Sequence, residues 1–367
     1  MSMLDLQESL NASAREIAAW ERGDAYPPYA MAQQLARVLR IPFGFLFLSK
    51  PPSDDPPLPD LRTRGEQKPE KASPDLIEVL NDVLRRQEWY REYAEENGMK
   101  PLRFVRSYQM SAGADTIAAN IRATLGINEQ LRRSCSSWDA YLTQLTRQAE
   151  AAGILVMRSG VVKHDTTRPL SADEFQGFAL SDELAPVIFI NVRDTRAARI
   201  FTFAHEAAHL WIGESGISSP NRLLETISAA ARIEGFCHAV AAETLVPRGE
   251  FSPLWKDTEP FMGMTERLAR HFWVSAIVIL RRAFELGLLN RPEFFGLLQE
   301  ARRRQKPPRT EDGGNFFLTI PSRNSAKFTD SVLGALRERR LLHTDAGALL
   351  SISQSTLLEL ANRRLGA

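Results

Sequence analysis

The sequence predicts a mainly helical α+β fold, in which a small sheet lies beside a buried helix and further helices flank this core at both ends. One observation behind it is a helical run from Ile200 to Ile212, whose only polar residues are Thr202, His205, Glu206 and His209. Another is a set of short β-branched runs that precede this helix. The third is the helical spacing of apolar residues over most of the remaining chain.

Length and composition limit the possible organisation and function of the chain. A chain of 367 residues predicts two or three compact units. Its net charge of +1 gives no global field that would attract nucleic acid. Two cysteines, Cys135 and Cys237, make no disulfide framework, and we expect two reduced thiols. Because no leader or membrane span is recognisable, we expect a cytoplasmic protein without a membrane partner.

The first 50 residues predict three short helices, over residues 4–13, 14–23 and 30–40. Ser13 and Glu16 have the spacing of a capping box, and Gly23 suits a helix C-terminus. This stretch resembles the phage-repressor (Cro/XRE-type) helix-turn-helix family at residues Ile17, Trp20, Glu21, Gly23, Leu35, Ala36 and Leu39.

The resemblance covers only part of that DNA-binding module. In the family another helix precedes the one at Asp5–Leu10, and this chain starts after it. If the second helix here reads DNA, the residues facing the groove are Ser13, Ala14, Arg15 and Ala18. The other interpretation is a helical remnant that packs on the next domain.

A proline-rich linker over residues 51–74 separates this module from the rest of the chain. Helices are predicted over residues 75–97, 114–125 and 137–152. Short strands are predicted over residues 154–157, 176–180 and 187–192. We expect Asp194 to cap the helix that follows and Gly213 to end it.

That helix carries H-E-x-x-H. Histidines four residues apart lie one above the other on a helix, so His205 and His209 can hold one cation while Glu206 faces a water on it. Because the surrounding residues are apolar, unpaired charges here would be costly, and a metal supplies their partner. The pattern predicts zinc-dependent hydrolysis with Glu206 as the general base.

A zinc peptidase needs a third protein ligand. The candidates downstream are Glu214, Glu225, Glu234, His238 and Glu243. A second helix is predicted over residues 226–245, and in its most apolar part Glu234 and His238 are the only polar residues apart from Arg232. A carboxylate in such surroundings requires a cation, which favours Glu234 as the ligand.

The two helices together resemble the ImmA/IrrE family of metallo-endopeptidases, whose second helix has the pattern Glu-x-x-x-Asn-x-x-Ala-Ala-x-x-Leu-x-Pro. The resemblance spans roughly residues 150–290 and implies a zincin-like core with Glu234 as the third ligand. Its implied cofactor is Zn²⁺, with Mn²⁺ as the alternative. His238 stands where the family has Asn, which makes it a second-shell or transition-state candidate. His164 and an arginine are further candidates for that donor.

Helical segments complete the chain. Residues 264–287 predict two helices joined by a turn, residues 302–309 form a basic run, and residues 344–360 suggest another helix-turn-helix. Packing is expected for His271 and a surface position for His343.

The predicted organisation is a partial helix-turn-helix at 1–50, a linker at 51–74, a peptidase domain at 75–298 (helical prelude 75–150, zinc site 151–250, helical pair 251–298), a basic linker at 299–314 and a small helical domain at 315–367.

The predicted function is that of a zinc-dependent endopeptidase. The family resemblance implies that it cleaves a specific regulatory protein, a repressor, in a stress- or phage-linked response. The alternative is a DNA-binding regulator or antitoxin-like protein whose metal domain senses or binds rather than cuts. Neither the oligomeric state nor the trigger can be read from the residues.

Overall fold

The computed structural model describes residues 3–10, 12–39, 43–48, 72–218, 229–256, 260–304 and 316–365. The chain divides into two compact units, residues 1–56 and residues 57–367. No helix among the described residues is long and apolar enough to cross a membrane. Both cysteines are free.

The first unit contains the three predicted helices, α1 (Met3–Leu10), α2 (Ala14–Arg22) and α3 (Tyr29–Leu39). The Ser13 hydroxyl accepts the Glu16 backbone N–H, and the Glu16 carboxylate accepts the Ser13 N–H at 2.8 Å. This is the expected capping box, and Gly23 ends α2 in the left-handed conformation. A 3-10 turn follows at Phe43–Phe47, and the buried apolar residues described in this unit are Leu10, Ala12, Ile17 and Ala36.

The second unit is built on a small mixed sheet. Its strands are β1 (Leu155–Ser159), β4 (Gly177–Leu180), β5 (Val187–Asn191) and β6 (Gly216–Ser218), while β2 (Val161–Val162) and β3 (Asp165–Pro169) form a separate hairpin. The order in the sheet is β1-β5-β4-β6. β1 is parallel to β5, and β4 is antiparallel to both β5 and β6.

Both faces of this sheet are buried. Along β5, Ile188 and Ile190 belong to the apolar cluster on one face, whereas Val187 and Phe189 belong to the cluster on the other. Side chains alternate between the faces of a strand, so a strand covered on both sides reads as a continuous apolar run. That burial explains why residues 187–191 show no polar alternation.

Helices cover the two faces. They are α4 (Pro74–Glu96), α5 (Ala114–Leu125), α6 (Glu129–Arg133), α7 (Trp138–Ala152), α8 (Arg196–Ile212), α9 (Ala229–Leu245), α10 (Arg248–Phe251), α11 (Phe261–Phe272), α12 (Ala276–Glu285), α13 (Arg291–Arg304), α14 (Phe316–Asn324), α15 (Ala326–Arg337), α16 (His343–Leu350) and α17 (Gln354–Leu365). The core on one face includes α5, α7, α8 and α9. The core on the other face includes α4 and α14 to α17. The predicted α+β class with a small sheet and predominant helix is confirmed.

The start of α8 differs from the prediction by one residue. Thr195 is the N-cap, because its hydroxyl accepts the Ala198 N–H at 3.3 Å. The expected cap, Asp194, instead accepts the Thr195 N–H at 2.6 Å and a hydrogen bond from Gln176 at 2.8 Å. Asp194 therefore ties the helix entry to the segment before β4. Gly213 ends the helix as expected, in the left-handed conformation.

Partly buried polar contacts attach the C-terminal helices to α7 and to the hairpin of β2 and β3. The Glu150 carboxylate accepts the Ser325 hydroxyl at 2.6 Å and the Ala326 N–H at 2.8 Å, at the start of α15. His164 lies 3.0 Å from the Leu350 carbonyl through Nε2 and 2.9 Å from Arg323 through Nδ1. Since a guanidinium can only donate, Nδ1 accepts and Nε2 carries the proton. His164, a candidate transition-state donor from the sequence, thus contacts the C-terminal helices.

These contacts make stability depend on pH. Burial, together with the charges of Arg323 and Arg86, lowers the pKa of His164. Above the ordinary value of about 6.5 both states are neutral, and below it the unfolded chain takes up a proton that the folded one resists. We expect His164→Gln to reduce the loss of stability between about pH 7 and about pH 5.5 by up to about 1.4 kcal/mol per pH unit. Urea unfolding at several pH values measures the free energy of unfolding, and His343→Gln, at an exposed position, is the control. An unchanged pH dependence in His164→Gln would contradict this assignment.

Gly177 in β4 lets α8 approach the sheet closely. A Cβ atom there would lie 2.5 Å from Thr202 Cγ2, 2.6 Å from the Phe189 carbonyl oxygen and 3.2 Å from Glu206 Oε1. The first two distances are shorter than van der Waals contact, so any side chain would push α8 away from β4. An isolated glycine in a strand marks such an approach.

We expect Gly177→Ala to destabilise the protein by about 1–3 kcal/mol, because neither backbone nor α8 can move without unpacking the core. Thermal or urea unfolding measures the change. The matched control is Gly334→Ala in α15, where a new Cβ would meet nothing within 4 Å and where helix propensity predicts a gain of up to about 1 kcal/mol. Equal effects of the two substitutions would show that the close approach at β4 is not a packing constraint.

Candidate metal centre

The two histidines and the glutamate of the motif are all buried on α8. Their exposed fractions are 2 % for His205, 0 % for Glu206 and 1 % for His209. Alanines at 204, 207 and 208 lie beside these residues and leave the helix surface narrow there, so neighbouring elements can approach. Polar side chains this deeply buried must find partners inside the protein or in a bound ion.

The neighbouring helix α9 supplies the carboxylate that faces them. Glu234 is 6 % exposed and lies beside the histidines, as the sequence predicted for the third ligand. The α9 surface around it is apolar, with Cys237, Val240 and Ala241 in the core. The helix is described from Ala229, so residues 226–228 of the predicted span lie outside the described residues.

The donor atoms converge on one point. His205 Nε2 lies 3.1 Å from His209 Nε2 and 3.1 Å from Glu234 Oε2, and His209 Nε2 lies 3.4 Å from Glu234 Oε1. Tetrahedral zinc with bonds of about 2.05 Å places its ligand atoms about 3.3 Å apart. The three side chains therefore fit a zinc ion without rearrangement. Among the described residues, this is the group of His, Cys, Asp and Glu whose ligand atoms converge in this way.

Electrostatics also favour a cation at this point. Burial opposes charge on Glu234, but its hydrogen bonds with His205 and His209 outweigh it and lower the pKa of the carboxyl. Burial lowers the pKa of His205. Burial opposes protonation of His209 too, yet Cys237, Glu234 and Glu206 raise the pKa of its ring well above the ordinary value. The Glu234 carboxylate therefore carries its negative charge beside the two rings.

Glu206 lies next to the ligand cluster, at the sheet. Its Oε1 is 3.2 Å from where a Cβ of Gly177 would be, and its charge acts on His209. A buried carboxylate beside a metal-ligand set can accept a proton from a water at that ion. Gly177 lets Glu206 lie this close to β4, and the H-E-x-x-H motif did not reveal it. A lone glycine in a predicted strand was the signal that could have identified it.

His238 lies one helical turn from Glu234 and is half-buried. Its ring centroid is 4.5 Å from that of His205 and 5.4 Å from that of Phe201, on which it stacks. Burial and the neighbouring His205 lower the pKa of His238 to about 3, so the ring is neutral and retains one N–H donor. It is not among the residues whose ligand atoms converge, which leaves it beside the centre rather than in it.

The other candidate ligands lie elsewhere. Glu214 is exposed just past α8. The Glu243 carboxylate pairs with Arg282 and accepts the Arg248 N–H at 3.2 Å. Glu225 lies outside the described residues. His271 packs edge-on against Phe272, and His343 is exposed, as expected for both.

The candidate DNA-reading residues belong to the first unit. Ser13, Ala14 and Arg15 are exposed at the start of α2, and Ala18 is half-buried. A helix N-terminus with small exposed residues and one arginine is compatible with contact to a groove. Arg22, at the other end of α2, pairs with Asp24 at 2.7 Å.

Comparison with known families agrees with this geometry. The chain is similar to the M78 peptidases, whose IrrE N-terminal-like domain model matches residues 149–284. The match runs from the end of α7 to α12 and includes both ligand helices. M78 peptidases are metal-dependent, so the fold and site define a metallopeptidase-type domain. The match supports the resemblance to the ImmA/IrrE family. No curated protein matches the chain significantly.

We expect Glu234→Ala to lose stoichiometric zinc, because two imidazoles alone leave the ion with too few protein ligands. The measurement is elemental analysis of purified protein after zinc loading and dialysis. Glu214→Ala is the matched control, since it removes an exposed carboxylate and should bind zinc like the parent. Full zinc occupancy in Glu234→Ala would exclude Glu234 as a ligand.

Proposed function

We propose that the protein is a zinc-dependent endopeptidase that cuts a specific regulatory protein, and that this substrate is a repressor. The observation that supports it best is the convergence of His205, His209 and Glu234 beside a buried Glu206. His205, His209 and Glu234 would hold the ion, and zinc when bound supplies Lewis-acid chemistry at a peptide carbonyl. A repressor as substrate is what the ImmA/IrrE resemblance suggests.

Glu206 provides the proton transfers of this reaction. Its carboxylate takes a proton from the attacking water and passes it to the leaving amine. Apolar surroundings on three sides keep the Glu206 carboxylate reactive. They are formed by α8 itself, by the sheet at Gly177 and by the core behind both. Exclusion of bulk water strengthens every charge interaction in such a site.

His238 would act as a hydrogen-bond donor to the reacting carbonyl. The ring is neutral, lies next to His205 and carries one N–H. A fixed donor near the ion can stabilise negative charge that develops on the carbonyl oxygen. Stacking on Phe201 at 5.4 Å holds the ring in place. His238 therefore replaces, with a different donor, the amide that the family pattern has there.

We expect Glu206→Gln to keep its zinc but to lose proteolysis by about 10²-fold or more, because the amide cannot accept the proton. Gel electrophoresis and mass spectrometry follow the cleavage of denatured casein and of repressors whose genes lie near that of this protein. Elemental analysis of the same samples measures the metal.

The matched control is Glu214→Gln, which changes an exposed carboxylate by the same atom replacement. It should cleave like the parent. Equal cleavage by Glu206→Gln and the parent would contradict the mechanism, and cleavage that continues after the zinc is removed by a chelator would contradict the metal requirement.

A further inference from the structure

The last three helices of the chain form a bundle with a short turn between the final two. Helices α15, α16 and α17 pack on one another, and their apolar side chains belong to one buried cluster. A three-residue turn, residues 351–353, joins α16 to α17. This is the segment in which the sequence suggested a helix-turn-helix. It lies outside residues 149–284, which match the peptidase family.

The turn directs α17 back onto α16. Ser351 ends α16 in the left-handed conformation, with φ at 56°. The Ile352 N–H donates to the Gly347 carbonyl at 2.9 Å, and a Cβ on Gly347 would lie 3.0 Å from the Ile352 carbonyl oxygen. The Ser353 hydroxyl then accepts the Thr356 N–H at 3.2 Å and caps α17. Two helices joined by a turn of this length are the core of the helix-turn-helix, whose second helix enters the major groove of DNA.

Hydrogen bonds anchor the end of α16 on the rest of the second unit. Arg86 of α4 donates to the Leu349 carbonyl at 2.9 Å and to the Ser351 hydroxyl at 3.0 Å. Asn324 of α14 donates to the Leu350 carbonyl at 2.9 Å. All three acceptors lie where α16 passes into the turn. The start of α17 therefore has a fixed position relative to the rest of this unit.

One face of α17 is exposed and mainly polar. Gln354, Leu358 and Asn362 are exposed and follow one another at intervals of four residues, so they lie on one side of the helix. Leu357 and Leu360 are buried in the bundle instead. In the major groove, the amide of Gln or Asn pairs with the edge of adenine, and an apolar side chain contacts the thymine methyl group. The exposed face of α17 thus carries the groups that read A·T base pairs.

The charges near this face also favour DNA. Residues 326–365 contain six lysines and arginines against four aspartates and glutamates, whereas the whole chain has 46 against 45. Arg337 ends α15, and Arg339 lies in the loop that leads into α16, and both are exposed. The first helix of a helix-turn-helix crosses the phosphate backbone, so cations before its start can contact phosphates.

A protein partner would require more apolar surface. The cores of protein interfaces are apolar and poor in charge. Leu358 is the one large apolar side chain that the described part of α17 exposes, and two amides lie beside it.

We propose that α15 to α17 form a DNA-binding module, in which the exposed face of α17 reads A·T base pairs in the major groove of a duplex. The proposal is independent of the peptidase function, because it uses none of the residues of the metal centre. It also differs from the regulator described above, in which α2 of the first unit contacts DNA.

The experiment uses the full zinc-loaded chain and duplex DNA of random sequence. Repeated selection for bound duplexes enriches any preferred sequence. Fluorescence anisotropy then compares the enriched duplex with a shuffled duplex of the same composition at several salt concentrations. We expect A·T pairs at fixed positions of the enriched duplex, and binding at least about tenfold tighter than to the shuffled one.

Substitutions separate base contacts from phosphate contacts. Gln354→Ala should weaken binding to the enriched duplex by about tenfold, which is about 1.4 kcal/mol, and leave binding to the shuffled duplex unchanged. Arg339→Gln should weaken binding to both duplexes alike and reduce the salt slope by about 1. The matched controls are Gln299→Ala on α13 and Arg103→Gln, at exposed positions outside the bundle, and both should bind like the parent.

Three results would overturn the proposal. One is the absence of any enriched sequence. Another is tight binding to the enriched duplex that both Gln354→Ala and Asn362→Ala leave unchanged, as expected if α2 were the reader. The third is self-association that Leu358→Ser abolishes, measured by sedimentation, without binding to DNA. Circular dichroism confirms that each variant is folded, and Asn362→Ala replaces Gln354→Ala if the latter unfolds.

Discussion

The structure depends on one electrostatic constraint, the burial of two imidazoles and one carboxylate at contact distance. Two imidazole nitrogens face each other at 3.1 Å, with a carboxylate oxygen 3.1 Å from one of them. In water such groups would be hydrated separately, whereas here the surrounding core excludes the water that would hydrate them. A divalent ion would satisfy all three donors at once, so the packing of α8 against α9 would also determine the affinity of this candidate site for a metal.

The rest of the second unit holds that pair of helices rigid. The sheet lies under α8, and the absence of a side chain at Gly177 brings Glu206 close to the backbone of β4. Helices α4 and α14 to α17 cover the opposite face, so the sheet is buried on both sides. A site built on buried helices and strands keeps its ligands within a few tenths of an ångström of the productive geometry, as metal chemistry requires.

The local parts of this architecture could be predicted from the sequence. Helix ends at Ser13, Gly23 and Gly213 follow from capping chemistry. The apolar setting of Glu234 favoured it among five candidates, and its carboxylate lies beside both histidines. Properties that depend on distant contacts could not. Thr195 rather than Asp194 caps α8 because Asp194 is engaged by Gln176, which no local pattern encodes. The position of His164 against Arg323 and Leu350 likewise depends on how the C-terminal helices dock.

Two glutamates of α9 show why residue type alone cannot identify a site. Glu234 and Glu243 are both buried, and nine residues at about 100° per residue place them on opposite sides of the helix. Glu243 is neutralised by Arg282, so the chain supplies its counter-charge. Glu234 instead faces the imidazoles of His205 and His209. A buried carboxylate with an arginine beside it is a structural ion pair, whereas one that faces two imidazoles belongs to a candidate metal centre.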